Sequence, residues 1–244
     1  MNRLVEPEFL DDLPAADPRA IQSRRDLQRV NAWMRNAHIM ARSLRSAFPH
    51  EPPHRLVELG AGDGTFLLGV ARRLTPQWRG TTAVLVDQQQ IVAPETLHGF
   101  EKLGWRAEVV AADVFDWLGG PAAKNCDAMI ANLFLHHFSE MQLSGLLVQV
   151  AQQVRAFIAI EPRRWNWSIW CCRLLWLIRC NVITRHDAIV SVRAGFASNE
   201  LSSLWPAVDR RPSALSNGSW SLQERPANFS SHLFIAERTS EPRL

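Results

Sequence analysis

Lysine is almost missing from this chain. Lys102 and Lys124 are the only two, so nearly all of its 27 basic residues are arginines. Nucleic-acid binders gather such residues into a stripe with interleaved aromatics. Here they are scattered, apart from a loose group at Arg163, Arg164, Arg173, Arg179 and Arg185. With a formal net charge of only +3, no nucleic-acid partner is expected, and the arginine bias reads as genome composition. Cysteine is scarce too. Cys126, Cys171, Cys172 and Cys180 form no CxxC pair, and no His/Cys spacing of metal-site type surrounds them. They read as reduced core thiols. The N-terminus has no cationic stretch leading into an apolar run, so no secretory leader is expected and the expected location is cytoplasmic. Internal repeats and low-complexity tracts are missing as well.

What is present suits one domain with a sizeable core: 244 residues, 47% hydrophobic and 21% charged. The first twenty residues, with Pro7, Pro14, Pro18 and the pair Asp11-Asp12, read as loosely held. From Asp17 to about Phe48, apolar residues recur at spacings of three and four, which predicts helix with a break near Asn31. Pro49 to Pro53 closes that region, so residues 1–48 are expected to form a helical cap and 49–244 the main domain. Continuous apolar runs at Arg55 to Leu59, Thr82 to Val86, Ala107 to Ala111, Ala128 to Leu133 and Phe157 to Ile160 read as buried parallel strands. Between them lie helices at Phe66 to Leu74, from Pro94 toward Gly104, and over Leu143 to Val154, the last opened by a Ser139/Gln142 capping box. Trp220 to Glu224 and Leu233 to Glu237 have no helix between them and predict an antiparallel hairpin at one edge. The expected class is α/β with a seven-stranded, mostly parallel sheet.

The most specific feature is Val57-Glu58-Leu59-Gly60-Ala61-Gly62-Asp63-Gly64-Thr65, at the end of the first strand. Glycines there let the backbone turn tightly and come close to a ligand. Spacing narrows the choice. A dinucleotide fingerprint needs a glycine where Thr65 stands, and the Gly-Lys-Ser/Thr of a P-loop is absent. Glu58 and Asp63 beside the turn would repel a diphosphate but suit a ligand with an ammonium and a sulfonium. Asp87 ends the second strand, with Gln88 next to it, where a carboxylate accepts ribose hydroxyls.

The run Glu58-x-Gly60-x-Gly62-x-Gly64 resembles motif I of the class I S-adenosylmethionine-dependent methyltransferases. The resemblance covers about residues 55 to 240. It implies a Rossmann-like sheet ending in an antiparallel hairpin, S-adenosylmethionine as cofactor, and a cofactor site of Glu58, Gly60, Ala61, Gly62, Asp87 and Gln88. It further implies Asp113 and Val114 near the adenine, and Asn132 and Leu133 near the methionine part. In many small-molecule methyltransferases a Leu-His-His segment similar to Leu135-His136-His137 lies beside the transferred methyl. A histidine of near-neutral pKa suits removal of a phenol proton, so His136 and His137 are candidate bases, His136 first. His186 is another, oriented by Asp187 or by Glu161, which directly follows the fifth strand. Arg29 and Asn31 are weaker candidates in a cap over the cofactor.

The expected reaction is methylation of an oxygen on a small hydrophobic phenolic, quinol or polyketide-like acceptor. Carbon methylation of a quinone precursor and a non-catalytic cofactor-binding scaffold are the alternatives. No metal is expected, because Asp113 and Asp116 alone do not make a magnesium cluster. Residues 163–205 would build the acceptor pocket or a lid. For Trp165 to Arg179, rich in tryptophan but cut by Arg173 and Arg179, three readings stay open: a buried lid helix, a wall of an apolar acceptor pocket, or a helix lying on a membrane surface. The oligomeric state has no signal in the sequence.

Overall fold

The computed structural model describes residues 1–14, 16–124, 126–206 and 219–239. The expected strands and helices of the main domain are all there. Of the expected cap (1–48) and main domain (49–244), residues 15, 125, 207–218 and 240–244 lie outside the described residues.

Three N-terminal helices come first: α1 (Phe9–Asp12), α2 (Pro18–Met34) and α3 (Asn36–Ala47). The Asp17 side chain accepts from the Arg19 amide, and Pro18 takes the first helical position, where no amide is needed. The break falls at Arg35 (φ 58°), not at Asn31: this single left-handed residue ends α2 and starts α3. The alternation then runs β1 (Arg55–Leu59), α4 (Thr65–Leu74), β2 (Thr82–Asp87), α5 (Pro94–Lys102), β3 (Arg106–Ala111), α6 (Val114–Gly119), β4 (Ala128–Asn132), α7 (Glu140–Gln153) and β5 (Ala156–Pro162). After β5 come α8 (Asn166–Arg173), a 3-10 turn over Leu174–Ile178, α9 (Val182–Ala194), α10 (Glu200–Leu204) and the hairpin β6 (Trp220–Pro226) and β7 (Ser231–Arg238).

One seven-stranded sheet has the order β3-β2-β1-β4-β5-β7-β6. The first five strands are parallel, and β7 is antiparallel to both β5 and β6. Alternate residues of each strand serve opposite faces. Leu56, Leu85, Ile130 and Ile158 pack with Met40, Leu44, Leu67 and Leu74 of α3 and α4. Val57, Val84, Met129 and Phe157 pack with Leu143, Leu147 and Val150 of α7 on the other face. Truncating one of these fully buried leucines costs about 2–5 kcal/mol, so each layer holds the sheet firmly. The strand order reverses on either side of β1, which opens a crevice at the carboxyl ends of β1, β2 and β4.

The N-terminal fourteen residues are not loose. Arg3 donates to the carbonyls of Ala194 (2.8 Å) and Phe138 (2.8 Å), and the Leu4 amide to Arg193 (3.2 Å). Asp187 of α9 caps α1 by accepting from the amides of Phe9 and Leu10, both at 3.0 Å. Buried Asp26 of α2 in turn accepts from the Asn181 amide at 2.7 Å, tying α2 to the start of α9.

Candidate active site

The crevice holds a cavity of about 770 Å³ bordered by the glycine turn, the ends of β2 and β4, the Leu135–His137 turn and the N-terminal helices. Sites for small ligands span roughly 300–1,000 Å³.

On the turn, Gly60 (φ 70°) and Gly62 (φ 53°) take left-handed conformations that favour glycine. The amides of Gly60 and Ala61 bind the Val86 carbonyl at 2.9 and 3.0 Å, which clamps the turn to β2. A Cβ on Gly60 would lie 2.1 Å from the Phe134 ring, whereas one on Gly62 would meet nothing within 4 Å. Gly60 is therefore a packing glycine, and Gly62 leaves open space. Its amide donates to Asp87 Oδ2 at 2.8 Å, while Oδ1 accepts from Gln89 at 2.8 Å.

Beneath the turn Glu58 is buried, and its Oε2 has no hydrogen-bond partner. Burial, with Asp63 and Asp87 nearby, pushes this carboxyl well above the usual carboxylate range. A buried carboxyl lacking one partner fits a ligand carrying an ammonium group. Asp63 Oδ1 caps α4 through the Thr65 amide at 3.0 Å, and its Oδ2 accepts from Gln28 of α2 at 2.6 Å. Asn132 belongs to a side-chain chain: Asn36 Nδ2 donates to its Oδ1 at 3.0 Å, and Asn31 Oδ1 accepts from its Nδ2 at 3.4 Å. Leu133 borders the cavity with φ 53°, a conformation uncommon for a residue with a side chain. Val114 also borders it. Asp113 does not; it caps α6 through the Phe115 amide (2.8 Å) and accepts from Gln88 (2.8 Å).

On the far side, His136 is fully enclosed between two carboxylates. Its Nδ1 is 2.8 Å from Glu161 Oε2, and its Nε2 is 3.3 Å from Glu8 Oε1. Glu161, with no exposed surface, also accepts from the amides of Phe134 (3.1 Å), Leu135 (2.9 Å) and His136 (3.3 Å). Burial works against the charged ring, but the hydrogen bonds to Glu161 and Glu8 outweigh it and raise the His136 pKa to about 9. Glu8 shows the converse: burial opposes its charge, and His136 nevertheless holds it below the usual value. Ser191 of α9 donates to the same Glu8 oxygen. His137 borders the cavity, with its Nδ1 3.3 Å from Asp11. Glu8, His136 and His137 bring one ligand atom each within 4.8 Å of one another.

The structure thus brings His136, His137 and Glu161 together, with Glu161 serving His136. His186 does not border the cavity; it stacks on Phe9 at 3.9 Å and contacts Asp187 at 3.0 Å. Arg29 points instead to buried Asp26 and the Ile178 carbonyl. Glu8, Gln28, Asn36 and Ser191 carry no local sequence signal. The stretch 165–179 departs from two of its three readings. Trp165, Trp167, Trp170, Trp176 and Leu177 are exposed, which rules out a buried helix, and none of 165–179 borders the cavity.

The chain matches no protein-family model and no curated protein sequence. In three dimensions it is similar to several solved structures. One is a plantazolicin methyltransferase in complex with a monoazolic desmethylPZN analog and SAH, with TM-score 0.61 and 14% identity over 92% of each chain. Another is an O-methyltransferase family protein from Burkholderia thailandensis, with TM-score 0.56 and 19% identity over 93% of this chain and 62% of that one. A small RNA methyltransferase aligns with TM-score 0.54 and 15% identity over 82% of this chain and 24% of that one. The chain therefore spans less than two thirds of the length of the second and third. What they share with it is the architecture: the chain has the class I methyltransferase fold, Rossmann-like, with the antiparallel strands at one end.

Proposed function

We propose that this chain is an S-adenosylmethionine-dependent methyltransferase acting on an oxygen of a small hydrophobic phenolic, quinol or polyketide-like acceptor. The observation that carries the reading is the pairing of Glu58 with Gly62. A buried carboxyl with an unpartnered oxygen and a glycine whose missing side chain leaves open space border the same cavity. Together they fit a ligand that presents an ammonium beside a tight backbone turn. S-adenosylmethionine, when bound, supplies an electrophilic methyl on a positively charged sulfur.

In this reading Asp87 accepts the ribose hydroxyls beside Gln88. Ala112 and Val114, which border the cavity, flank the adenine, with Asp113 fixing the loop that carries them. Asn132 and Leu133 hold the amino-acid end with Glu58. His136 is the base. Glu161 accepts the hydrogen bond from Nδ1–H. With a pKa of about 9 the ring also carries a proton on Nε2 near neutral pH, so Nε2 receives the acceptor's proton only after its own has left with the displaced Glu8 carboxylate. Glu8 now stands where that hydroxyl would arrive, so the acceptor must displace it. Residues 1–48 act as the cap and 163–205 complete the acceptor side through α9. Among the described residues the cavity lining carries no basic track: Glu8, Asp11, Asp63 and Asp87 stand against Arg24, Arg72, Arg73 and the His136 ring, which offers a polyanionic acceptor such as RNA no net attraction.

Calorimetric titration with S-adenosylmethionine and S-adenosylhomocysteine tests the core of this reading. Saturable binding of both, lost in Asp87→Ala, is expected, followed by methyl transfer to members of a phenolic panel. Folded wild-type protein that binds neither ligand at about millimolar concentration overturns it.

A further inference from the structure

We infer that the tryptophan-rich face of α8 and the turn after it docks on the surface of an anionic lipid bilayer. The apolar side chains are conspicuous for their exposure: Trp167 59%, Trp170 61%, Trp176 58% and Leu177 59%. Val182, at the start of α9, is exposed beside them, and Trp165 packs edge-on against half-exposed Phe229 at 5.2 Å. Four large apolar side chains more than half exposed within eleven residues mark a candidate interaction surface.

Charge selects the occupant. Residues 163–185 contain five arginines and not one acid. Arg164 is neutralised by Glu200, but Arg163, Arg173 and Arg179 have no ion pair among the described residues. Arg163 lies over the Trp165 ring at 4.6 Å and Arg173 over Trp170 at 5.1 Å. Guanidinium and indole are thus held side by side. Indole favours the boundary between headgroups and acyl chains, and arginine favours anionic headgroups, so one flat surface satisfies both. A protein partner would need acids and an apolar groove in the same arrangement; an anionic bilayer offers both everywhere.

Geometry fixes the mode of contact. Only eight residues of α-helix precede the 3-10 turn, and no helix among the described residues is long and apolar enough to cross a membrane. The segment would lie in the plane of the interface. It packs on α9, where Cys172 Sγ lies 3.4 Å from the Ala188 carbonyl. Docking would place the lipid one helix away from Ser191 and the cavity. The inference is independent of the methyl-transfer reading, because it rests on the surface alone.

The test is co-sedimentation of the full chain with vesicles of phosphatidylcholine alone or with added phosphatidylglycerol, read together with the emission maximum of the indoles. Binding to the anionic vesicles only, weakened by salt and accompanied by a blue shift, is expected. Replacing Arg173 and Arg179 by Gln should weaken binding about 30-fold. The combined change Trp167→Ser, Trp170→Ser and Trp176→Ser should abolish it, with circular dichroism unchanged in both variants. Three outcomes overturn the proposal: no binding, equal binding to neutral vesicles, or binding that the arginine variant leaves intact. A dimer in light scattering that the tryptophan variant converts to monomer also overturns it, by assigning the face to a second copy.

Discussion

Glu8 and His136 stand 128 residues apart in the chain, yet a Glu8 carboxylate oxygen lies 3.3 Å from His136 Nε2 inside the cavity. That nitrogen is the one left over after Nδ1 is bound to Glu161, so under the proposed function Glu8 and an acceptor hydroxyl would compete for the same position. Glu8→Gln removes the negative charge and keeps the shape. The His136 pKa should then fall from about 9, by roughly one unit for loss of one nearby charge. The low-pH limb of the methyl-transfer rate should move down with it. Ring proton resonances followed through a pH titration give the first quantity directly. An unchanged titration would show that Glu161 alone sets the charge of the ring.

The same pair makes docking of the N-terminal segment depend on pH. His136 gains its partners on folding and its pKa is raised, so its stabilisation is complete below about pH 6.5 and is lost as pH rises through about 9. Glu8 is shifted down, so its share is present above its ordinary value near 4.5 and is lost as pH falls through the lowered one. The segment should therefore be held best from mildly acidic to neutral pH and released on the alkaline side. Hydrogen exchange at the amides of Phe9 and Leu10, both bound to Asp187, reports the release. Their protection factors, corrected for intrinsic rates, should drop about tenfold or more between pH 8 and pH 10. In Glu8→Gln the drop should be smaller.

Much of this arrangement was legible in the sequence, and the exceptions share a cause. Strands buried on both faces must be apolar throughout, so β1, β2, β4 and β5 showed as continuous runs. The Ser139–Gln142 capping box is a local hydrogen-bond pattern, and α7 does begin there. The glycine turn at 60–64 could be placed at the end of β1 because a tight backbone turn dictates glycine spacing. Glu8, by contrast, is one acid in a proline-flanked stretch without periodicity. Its partners, His136 and Ser191, are 128 and 183 residues away. Asn36 likewise reaches Asn132 only through tertiary packing. The stretch 165–179 stays open between burial and a surface role in the sequence because tryptophan and leucine usually signal burial, whereas here most of them point outward.

The two turn glycines should fail differently. Gly60→Ala forces a methyl to within 2.1 Å of the Phe134 ring at a left-handed φ, so overpacking adds to backbone strain. A stability loss of about 2–4 kcal/mol in urea denaturation is expected. Gly62→Ala meets no neighbour and should cost only about 1 kcal/mol, from its φ of 53°. Its new methyl enters space that the cofactor would use, so S-adenosylhomocysteine affinity should fall at least about tenfold while the fold stands. If Gly62→Ala binds as the wild type does, the ligand does not approach this turn.

Glu161 offers the strictest test of how the histidine is held. Its carboxylate accepts three backbone amides and one ring nitrogen in a site with no solvent. Glu161→Gln keeps the volume but puts an amide group where only acceptors fit, so at least one backbone N–H of the Phe134–His136 turn loses its partner. Stability should fall by about 2–4 kcal/mol, the range for an orphaned buried donor together with a lost charge-assisted bond. The variant also removes the stronger of the two interactions that raise the His136 pKa, so the ring should titrate well below 9 even with Glu8 in place. A structural role alone would lower the melting point and leave that titration near 9. Both effects in one folded variant would identify Glu161 as the residue that sets the orientation and the charge of His136.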